Sequence, residues 1–317
     1  MPEPLVTIAV ATYNGRDLLA TTLSSLAAQT FRDFRVVVVD DASTDGTAEW
    51  LAKEWPEVDL IVHAVNRGVT AALNSGLEAS RSEFVLLLNN DMELDSHCLD
   101  ELIGALKEHP EAGSAAPKLL SAADRRRLDG AGDVFNWGGT GWRRGHGELD
   151  QGQYDKPESI FGACGGAAVY RRTAVDTVGL LDQDFYAFYE DVDWSFRAQL
   201  AGFACRYVPT AIAYHVGSAT LGKGETDFTR YHTWRNGIWL VLKDYPVATL
   251  FWQTPRLAAA QLEHLVIAVR ERKLGLLWRV WRDAARGLPR TMRKRILVQR
   301  LRSVTLRQLA AIVQHGR

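Results

Sequence analysis

Through the first 120 residues, short runs of aliphatic and β-branched side chains alternate with stretches whose apolar positions recur every three or four residues. The runs at 5–11, 34–40, 60–64 and 83–88 predict strands. Four consecutive valines at 36–39 predict a strand covered on both faces. The stretches at 18–29, 47–55, 69–79 and 96–109 carry the spacing of amphipathic helices, with Asp45 and Ser96 placed to cap two of them. Such alternation builds parallel βαβ units in an open α/β sheet. These sheets bind ligands beyond the carboxyl ends of their strands, so positions 12–14, 40–43, 66–68 and 89–91 are read first for function.

Seven glycines between 130 and 147 then break the periodicity and predict a long loop with short hairpins. A strand is expected over 161–170, opening on GACGG, then a helix over 191–201 and one or two short strands over 207–216. A glycine-rich loop is expected over 217–224, and helices from 226 onward. Within 273–286, Leu274, Leu277, Trp278, Trp281 and Ala285 fall near one helical face.

Length and charge refine this picture. A chain of 317 residues suits one large domain with an appendage, or two domains. The 47% hydrophobic and 24% charged content excludes a disordered or collagen-like chain. Cys98, Cys164 and Cys205 form no CxxC pair, so neither a disulfide framework nor a zinc ribbon is expected, and a reducing, cytoplasmic setting is. The first apolar run has no basic stretch ahead of it, so no signal peptide is expected. No uncharged apolar run reaches about 18 residues, so no spanning helix is expected. The net charge of −1 conceals an asymmetry: residues 256–317 hold 15 Lys+Arg against 3 Asp+Glu, and the first 255 hold 22 against 35. The acidic part is a poor nucleic-acid binder, and no nucleic-acid partner is expected. The Trp-bearing, basic tail fits an anionic membrane surface. The other reading packs its apolar side on the catalytic domain or on a second subunit in a homodimer.

Four groups of residues could carry chemistry. Asp41, in the DDAS sequence at 40–43, could bind a ribose or a base N–H, or could cap the next helix together with Ser43. Asp91 follows a buried strand through Asn89 and Asn90, where a carboxylate could hold a divalent cation or simply form a turn. Glu190, Asp191 and Asp193 open a helix among Tyr186, Phe188, Tyr189 and Trp194, where they could serve as a general base beside a sugar platform or simply cap the helix and offset its dipole. His215 closes a strand and could join a metal site.

Taken in order, VATYNG (10–15), DDASTDGT (40–47), NRG (66–68), LNNDM (88–92), FGACGGAAVYRR (161–172), FYEDVDWSFRAQLAGF (188–203), HVGSAT (215–220) and YHTWRN (231–236) resemble the family-2 inverting glycosyltransferases of the GT-A fold, and most closely their rhamnosyltransferase-like branch. The resemblance spans about residues 6–245. It implies a GT-A nucleotide-diphospho-sugar transferase fold, a Rossmann-like mixed α/β sheet flanked by helices. The catalytic domain would cover 1–245 and a C-terminal basic helical extension 246–317.

The resemblance also implies roles. Ala11, Thr12, Tyr13 and Asp41 would line the base and ribose pocket, with Asn66, Arg67, Gly68 and Asn90 bordering the nucleotide. Asp91 and His215 would hold Mn²⁺ or Mg²⁺, although Asn89 stands where the family carries a first carboxylate. Asp191 would be the catalytic base, supported by Glu190, with Gly165, Tyr189 and Trp194 around the acceptor sugar. The loop after His215 would fold over the diphosphate, with Arg235 or Lys223 neutralising charge.

The expected activity is transfer of a sugar, rhamnose favoured, from a nucleoside-diphosphate donor to a hydroxyl of a glycan or polyprenyl-linked glycan. The expected place is the inner face of the cell membrane, as a peripheral protein. One alternative is a nucleotidyltransferase that makes nucleotide sugars, but ATYNGRD stands where a glycine- and lysine/arginine-rich loop would be needed. A dinucleotide oxidoreductase would need GxGxxG after the first strand, which is missing. A non-catalytic membrane or nucleic-acid binder leaves the acidic cluster at 190–193 without a purpose.

Overall fold

A computed structural model describes residues 3–217 and 226–313. The valine-rich run becomes an inner strand of a parallel set: β1 (Val6–Thr12), β2 (Phe34–Asp40), β3 (Asp59–Val62) and β4 (Phe84–Asn89), in spatial order β4-β1-β2-β3. β1 alternates between two cores, with Ile8 and Val10 on one side and Ala9 and Ala11 on the other. The connecting helices are α1 (Arg16–Ala27), α2 (Thr47–Glu54) and α3 (Val69–Ala79). α3 lies so close to β1 that a Cβ on Gly76 would stand 2.4 Å from the Ala9 methyl. Gly46, not Asp45, occupies the cap position of α2, and Asp45 accepts the Thr47 amide from one residue before it.

The remaining strands turn this set into a mixed sheet. After β5 (Met92–Leu94), α4 (Cys98–Glu108) leads to the ten-residue β6 (Ala112–Ser121). Ser96 does not cap α4: His97 occupies the cap position and donates its amide to Asp95 Oδ1. The glycine-rich segment forms β7 (Leu128–Gly130), β8 (Asp133–Phe135) and β9 (Gly141–Arg143), the last two as a separate hairpin. β10 (Glu158–Ile160) and β11 (Ala167–Arg171) follow, and β11 runs antiparallel between β4 and β6. The strand expected over 161–170 is therefore confined to its second half. α5 (Arg172–Val178), a 3-10 turn at Gln183–Phe185 and α6 (Glu190–Ala201) come next. β12 (Ala204–His215) is one long strand, parallel to β6, whose ladder breaks between Val208 and Ile212 around Pro209, a residue with no N–H to donate.

Beyond 226 the chain is helical in α7 (Asp227–Asp244), α8 (Val247–Arg270), α9 (Leu274–Leu301) and α10 (Leu306–Ile312). Trp239 of α7 donates to the Ala284 carbonyl of α9 at 3.0 Å. Val298, Leu309 and Val313 join Phe135, Phe196, Trp239 and Tyr245 in one core. Lys243, 2% exposed, pairs with Asp182 at 2.6 Å and with Asp193 of α6. The outer faces of α8 and α9 stay apolar and open: Phe251 and Trp252 are each 74% exposed and Trp278 66%. Among the described residues no helix is long and apolar enough to cross a membrane.

Candidate active site

A cleft of about 620 Å³ opens at the carboxyl ends of β1, β2 and β4. Ala11, Thr12, Tyr13, Asp41, Asn66 and Gly68 line one end, and Gly165, Tyr189, Glu190 and Asp191 line the other, with Asn89 and Asn90 also in the wall. The strand-end rule thus brings together most of the residues read from the sequence.

At the first end, Asp41 does not cap α2. Its carboxylate accepts the amides of Arg67 at 3.0 Å and Gly68 at 2.8 Å, and bonds His63 Nδ1 at 2.7 Å. It therefore shapes the turn that borders the cleft as well as facing it. Gly68 has φ +86, and a Cβ there would come 2.6 Å from the Tyr186 ring. Tyr186 in turn donates its hydroxyl to Asn66 Oδ1 at 2.9 Å. Arg67 is exposed and contributes its main chain rather than its side chain to this wall. The Asn90 amide donates to Thr12 Oγ1 at 2.8 Å, and the Thr22 hydroxyl donates to the Asn90 carbonyl at 2.8 Å.

At the second end, Tyr186, Phe188 and Tyr189 all have positive φ, between 63° and 70°, an uncommon conformation for bulky residues. Asn236 of α7 holds this turn by donating its amide to the carbonyls of Phe185, Ala187 and Phe188 at 3.1, 2.9 and 2.7 Å. Arg235 donates to the Phe185 carbonyl and to Asn236 Oδ1. It is buried and spent on this scaffold, so it does not serve the diphosphate as expected. The turn delivers Glu190 and Asp191 to the N-terminus of α6, where helix amides favour anions. Asp191 Oδ2 accepts the Gly165 amide at 2.7 Å and Oδ1 accepts the Val192 amide at 2.8 Å. Glu190 is buried, its Oε2 has no hydrogen-bond partner, and burial together with the Asp191 charge pushes its carboxyl up to about 8. At neutral pH, Glu190 is thus held protonated beside Asp191.

Two expected members of this end have other roles. Trp194 does not reach the sugar pocket: it is 1% exposed, stacks edge-on against Tyr170 and donates to the Gly179 carbonyl at 2.9 Å. Asp193 is fully buried and pairs with Arg197 at 2.9 Å and with Lys243.

Asp91 and His215 meet at the same sheet edge. Met92 of β5 pairs with His215 of β12, and Asp91 Oδ2 stands 3.4 Å from His215 Nε2. His215 Nδ1 bonds Asp129 Oδ2 at 2.8 Å. Burial alone would lower the His215 imidazole, but the Asp129 and Asp91 carboxylates outweigh it and raise it to about 9. Asp91 Oδ1 is buried without a partner. A neutral imidazole anchored by Asp129 would turn the Nε2 lone pair toward that carboxylate, leaving two acceptors face to face. That pair calls for a proton or a cation between them, and the oxygen–imidazole donor set suits Mn²⁺. Two bonds tie this corner to the base: the Asn89 amide donates to the Gly166 carbonyl at 2.9 Å, and the next residue, Gly165, donates to Asp191.

The glycine-rich segment supplies residues that sequence reasoning missed. Arg143 of β9 lines the cleft, pairs with Asp129 and reaches to 3.3 Å from His215 Nδ1. Asp133 of β8 is buried with Oδ1 unpartnered, and burial plus the nearby Asp191 charge raise it well above the usual carboxylate range. Potential ligand atoms of Asp133, Cys164 and Asp191 lie within 4.8 Å of one another. Burial keeps the Cys164 thiol protonated, so this group as it stands suits a hard cation less well than Asp91 and His215 do. The only local signal was a basic pair, Arg143 and Arg144, inside a tract of glycines. Lys223 and the second half of the HVGSAT motif, 218–220, lie outside the described residues.

Comparison with known proteins agrees with this geometry. The family model described as Glycosyl transferase family 2 matches residues 7–179. The N-acetylglucosaminyl-diphospho-decaprenol L-rhamnosyltransferase of Mycobacterium tuberculosis (strain CDC 1551 / Oshkosh) is 26% identical over 256 residues, covering 73% of this chain and 82% of the relative. The poly-beta-1,6-N-acetyl-D-glucosamine synthase of Staphylococcus aureus (strain MSSA476) is 25% identical over 225 residues, 68% of this chain, which spans only 51% of that relative. Among solved structures, the mannosyltransferase PcManGT from Pyrobaculum calidifontis, in complex with GDP-Man and Mn²⁺, superposes with a TM-score of 0.55. It is 19% identical, and the match covers 94% of this chain and 85% of that one.

Proposed function

The chain belongs to glycosyl transferase family 2, and from that premise we propose that it inverts the anomeric carbon of a nucleotide sugar while moving the sugar to a hydroxyl of a lipid-linked glycan. The observation that carries this reading is the placement of Asp191 in the same cleft as Thr12, Asp41 and Gly68.

The base and ribose of the donor lie against Thr12, Tyr13 and the turn at 66–68 that Asp41 organises. Arg143 faces the diphosphate. Held by Asp91 and His215, a divalent cation would supply charge neutralisation for the diphosphate leaving group. Asp191 accepts a hydrogen bond from the acceptor hydroxyl and takes its proton as the oxygen bonds C1 on the face opposite the departing diphosphate. One displacement inverts the configuration. Because Glu190 already carries a proton, it does not compete as base, and it spares Asp191 a second negative neighbour. The Mycobacterium tuberculosis relative favours rhamnose as the sugar and a polyprenyl-linked acceptor. The exposed aromatic faces of α8 and α9, set among arginines, favour docking at an anionic membrane surface from its inner side.

Thermal-shift screening of dTDP-rhamnose, UDP-N-acetylglucosamine, UDP-glucose and GDP-mannose, each with and without Mn²⁺ or Mg²⁺, tests the donor half. The largest shift is expected for dTDP-rhamnose with metal. Product NMR on a transfer reaction then reads the anomeric configuration, and a retained configuration would overturn the mechanism.

A further inference from the structure

A second cavity, of about 460 Å³, lies between the β8–β9 turn, α7 and α8. Its walls are mainly apolar: Trp234, Ile238, Val241, Leu242, Leu257 and Ala260. It adjoins the catalytic cleft, because Gly141, Tyr189 and Thr233 line both. Tyr189 immediately precedes Glu190 and Asp191, and its hydroxyl accepts the Gly141 amide at 3.1 Å. The cavity therefore begins one side chain away from the proposed base.

Its outer wall is unusual. Leu257 and Ala260 turn the inner face of α8 to the cavity, while Phe251, Trp252, Leu262, Val266 and Val269 on the same helix are exposed. A helix apolar on both faces is ordinarily buried on both. Here the outer face is flanked by Arg256 and Arg270, and the neighbouring helix α9 adds Arg279 together with Arg282 and Arg286, which share Asp283 between them. The charge and the exposed aromatics complement an anionic lipid surface.

We propose that this cavity holds the first part of the hydrocarbon chain of a lipid-linked glycan acceptor, which enters over α8 and presents its sugar hydroxyl to Asp191. The assignment rests on the transferase reading above and names the part of the acceptor that the second cavity takes. Of its side chains only Thr140, Tyr189, Thr233, Gln261 and His264 offer polar atoms, so a glycan would leave most of its hydroxyls without partners against these walls. A segment of another protein, lodged one side chain from the base, would obstruct the acceptor that the cleft must admit. A chain covalently continuous with the reacting head group fits both spaces at once.

Binding of farnesyl diphosphate, inorganic diphosphate and farnesol to the full chain, followed by titration calorimetry, tests the proposal. Ala260→Trp fills the cavity from α8, and Ile238→Trp fills it from α7 should the first variant fold poorly. Ala258→Trp adds the same bulk on the exposed face of α8. Farnesyl diphosphate is expected to bind at least tenfold tighter than inorganic diphosphate, to lose that advantage in the filled variants and to keep it in Ala258→Trp. The thermal shift given by UDP or dTDP should be the same in all of them. Equal affinity for farnesyl and inorganic diphosphate would overturn the cavity assignment, as would an unchanged farnesyl advantage in the filled variants. A wild-type dimer by sedimentation that Ala258→Trp disrupts would overturn it as well, assigning this face to a second copy of the chain. Nucleotide shifts without farnesyl binding leave the transferase reading standing, whereas the absence of any nucleotide shift removes that reading first.

Discussion

Replacing Asp191 by Asn separates the proposed base from its neighbour. The wild-type carboxylate accepts two amides, Gly165 at 2.7 Å and Val192 at 2.8 Å. An asparagine keeps one acceptor oxygen and turns an N–H₂ toward the other amide, which costs about 1–3 kcal/mol of stability through an unmet donor. Loss of general-base catalysis is expected to lower kcat by about 10²–10⁴-fold, which is about 2.7–5.4 kcal/mol of transition-state stabilisation. Donor binding should be unchanged, because the nucleotide end of the cleft is built by Thr12, Asp41 and Gly68. Glu190→Gln makes the contrast. The amide mimics a carboxyl already protonated below about 8, so kcat near pH 7 should change by less than about tenfold. The wild-type rate should alter as pH passes through about 8, and that feature should vanish in Glu190→Gln. The assay is single-turnover release of nucleoside diphosphate across pH 5–9, with urea midpoints measured in parallel to remove the stability effect. If Asp191→Asn stays within tenfold of wild type while Glu190→Gln collapses, the base has been assigned to the wrong carboxylate.

Three further outcomes are expected. Glu190 is raised from an ordinary 4.5 to about 8, so the folded state binds the proton more tightly than the unfolded chain. Its contribution is fully present below 4.5 and is lost as pH rises toward 8; urea midpoints of Glu190→Gln should show a flatter decline over that window. Lys243→Met removes one of the two cationic partners of each of Asp182 and Asp193, which keep Lys294 and Arg197, and should cost about 1–3 kcal/mol in urea unfolding. Gly68→Ala forces a Cβ against Tyr186 at φ +86 and should abolish the nucleotide-induced thermal shift, while Gly104→Ala, with open space around its site, should leave it intact.

The strand-end carboxylates were legible in the sequence because they follow apolar runs whose period identifies the element and its direction. VVVV before Asp40 and Asp41, and FVLLL before Asn89, announce both a buried strand and the place where it reaches the rim. Local order also exposed Glu190 and Asp191 as the opening of a helix. What it could not tell was which members of that cluster face the cleft. Asp193 and Trp194 look equivalent to their neighbours in a linear string, yet the packing of α6 buries them against Lys243 and Tyr170. YHTWRN read as a binding motif for the same reason, whereas Arg235 and Asn236 are consumed in holding a turn with three left-handed aromatic residues.

Sequence periodicity by itself determined the α/β class, the strand ends that bear polar residues and the helical character of the basic tail, because each depends on neighbours within a few positions. Only the tertiary structure decided that Arg143, Asp129 and Asp133 belong to the site, since a segment of glycines and three-residue strands has no period to read and its place is set by packing against β6 and β12. The second cavity is likewise a tertiary fact. Its walls come from a hairpin turn and two helices more than 90 residues away, and each wall taken alone is an ordinary apolar helical face or a glycine-rich loop.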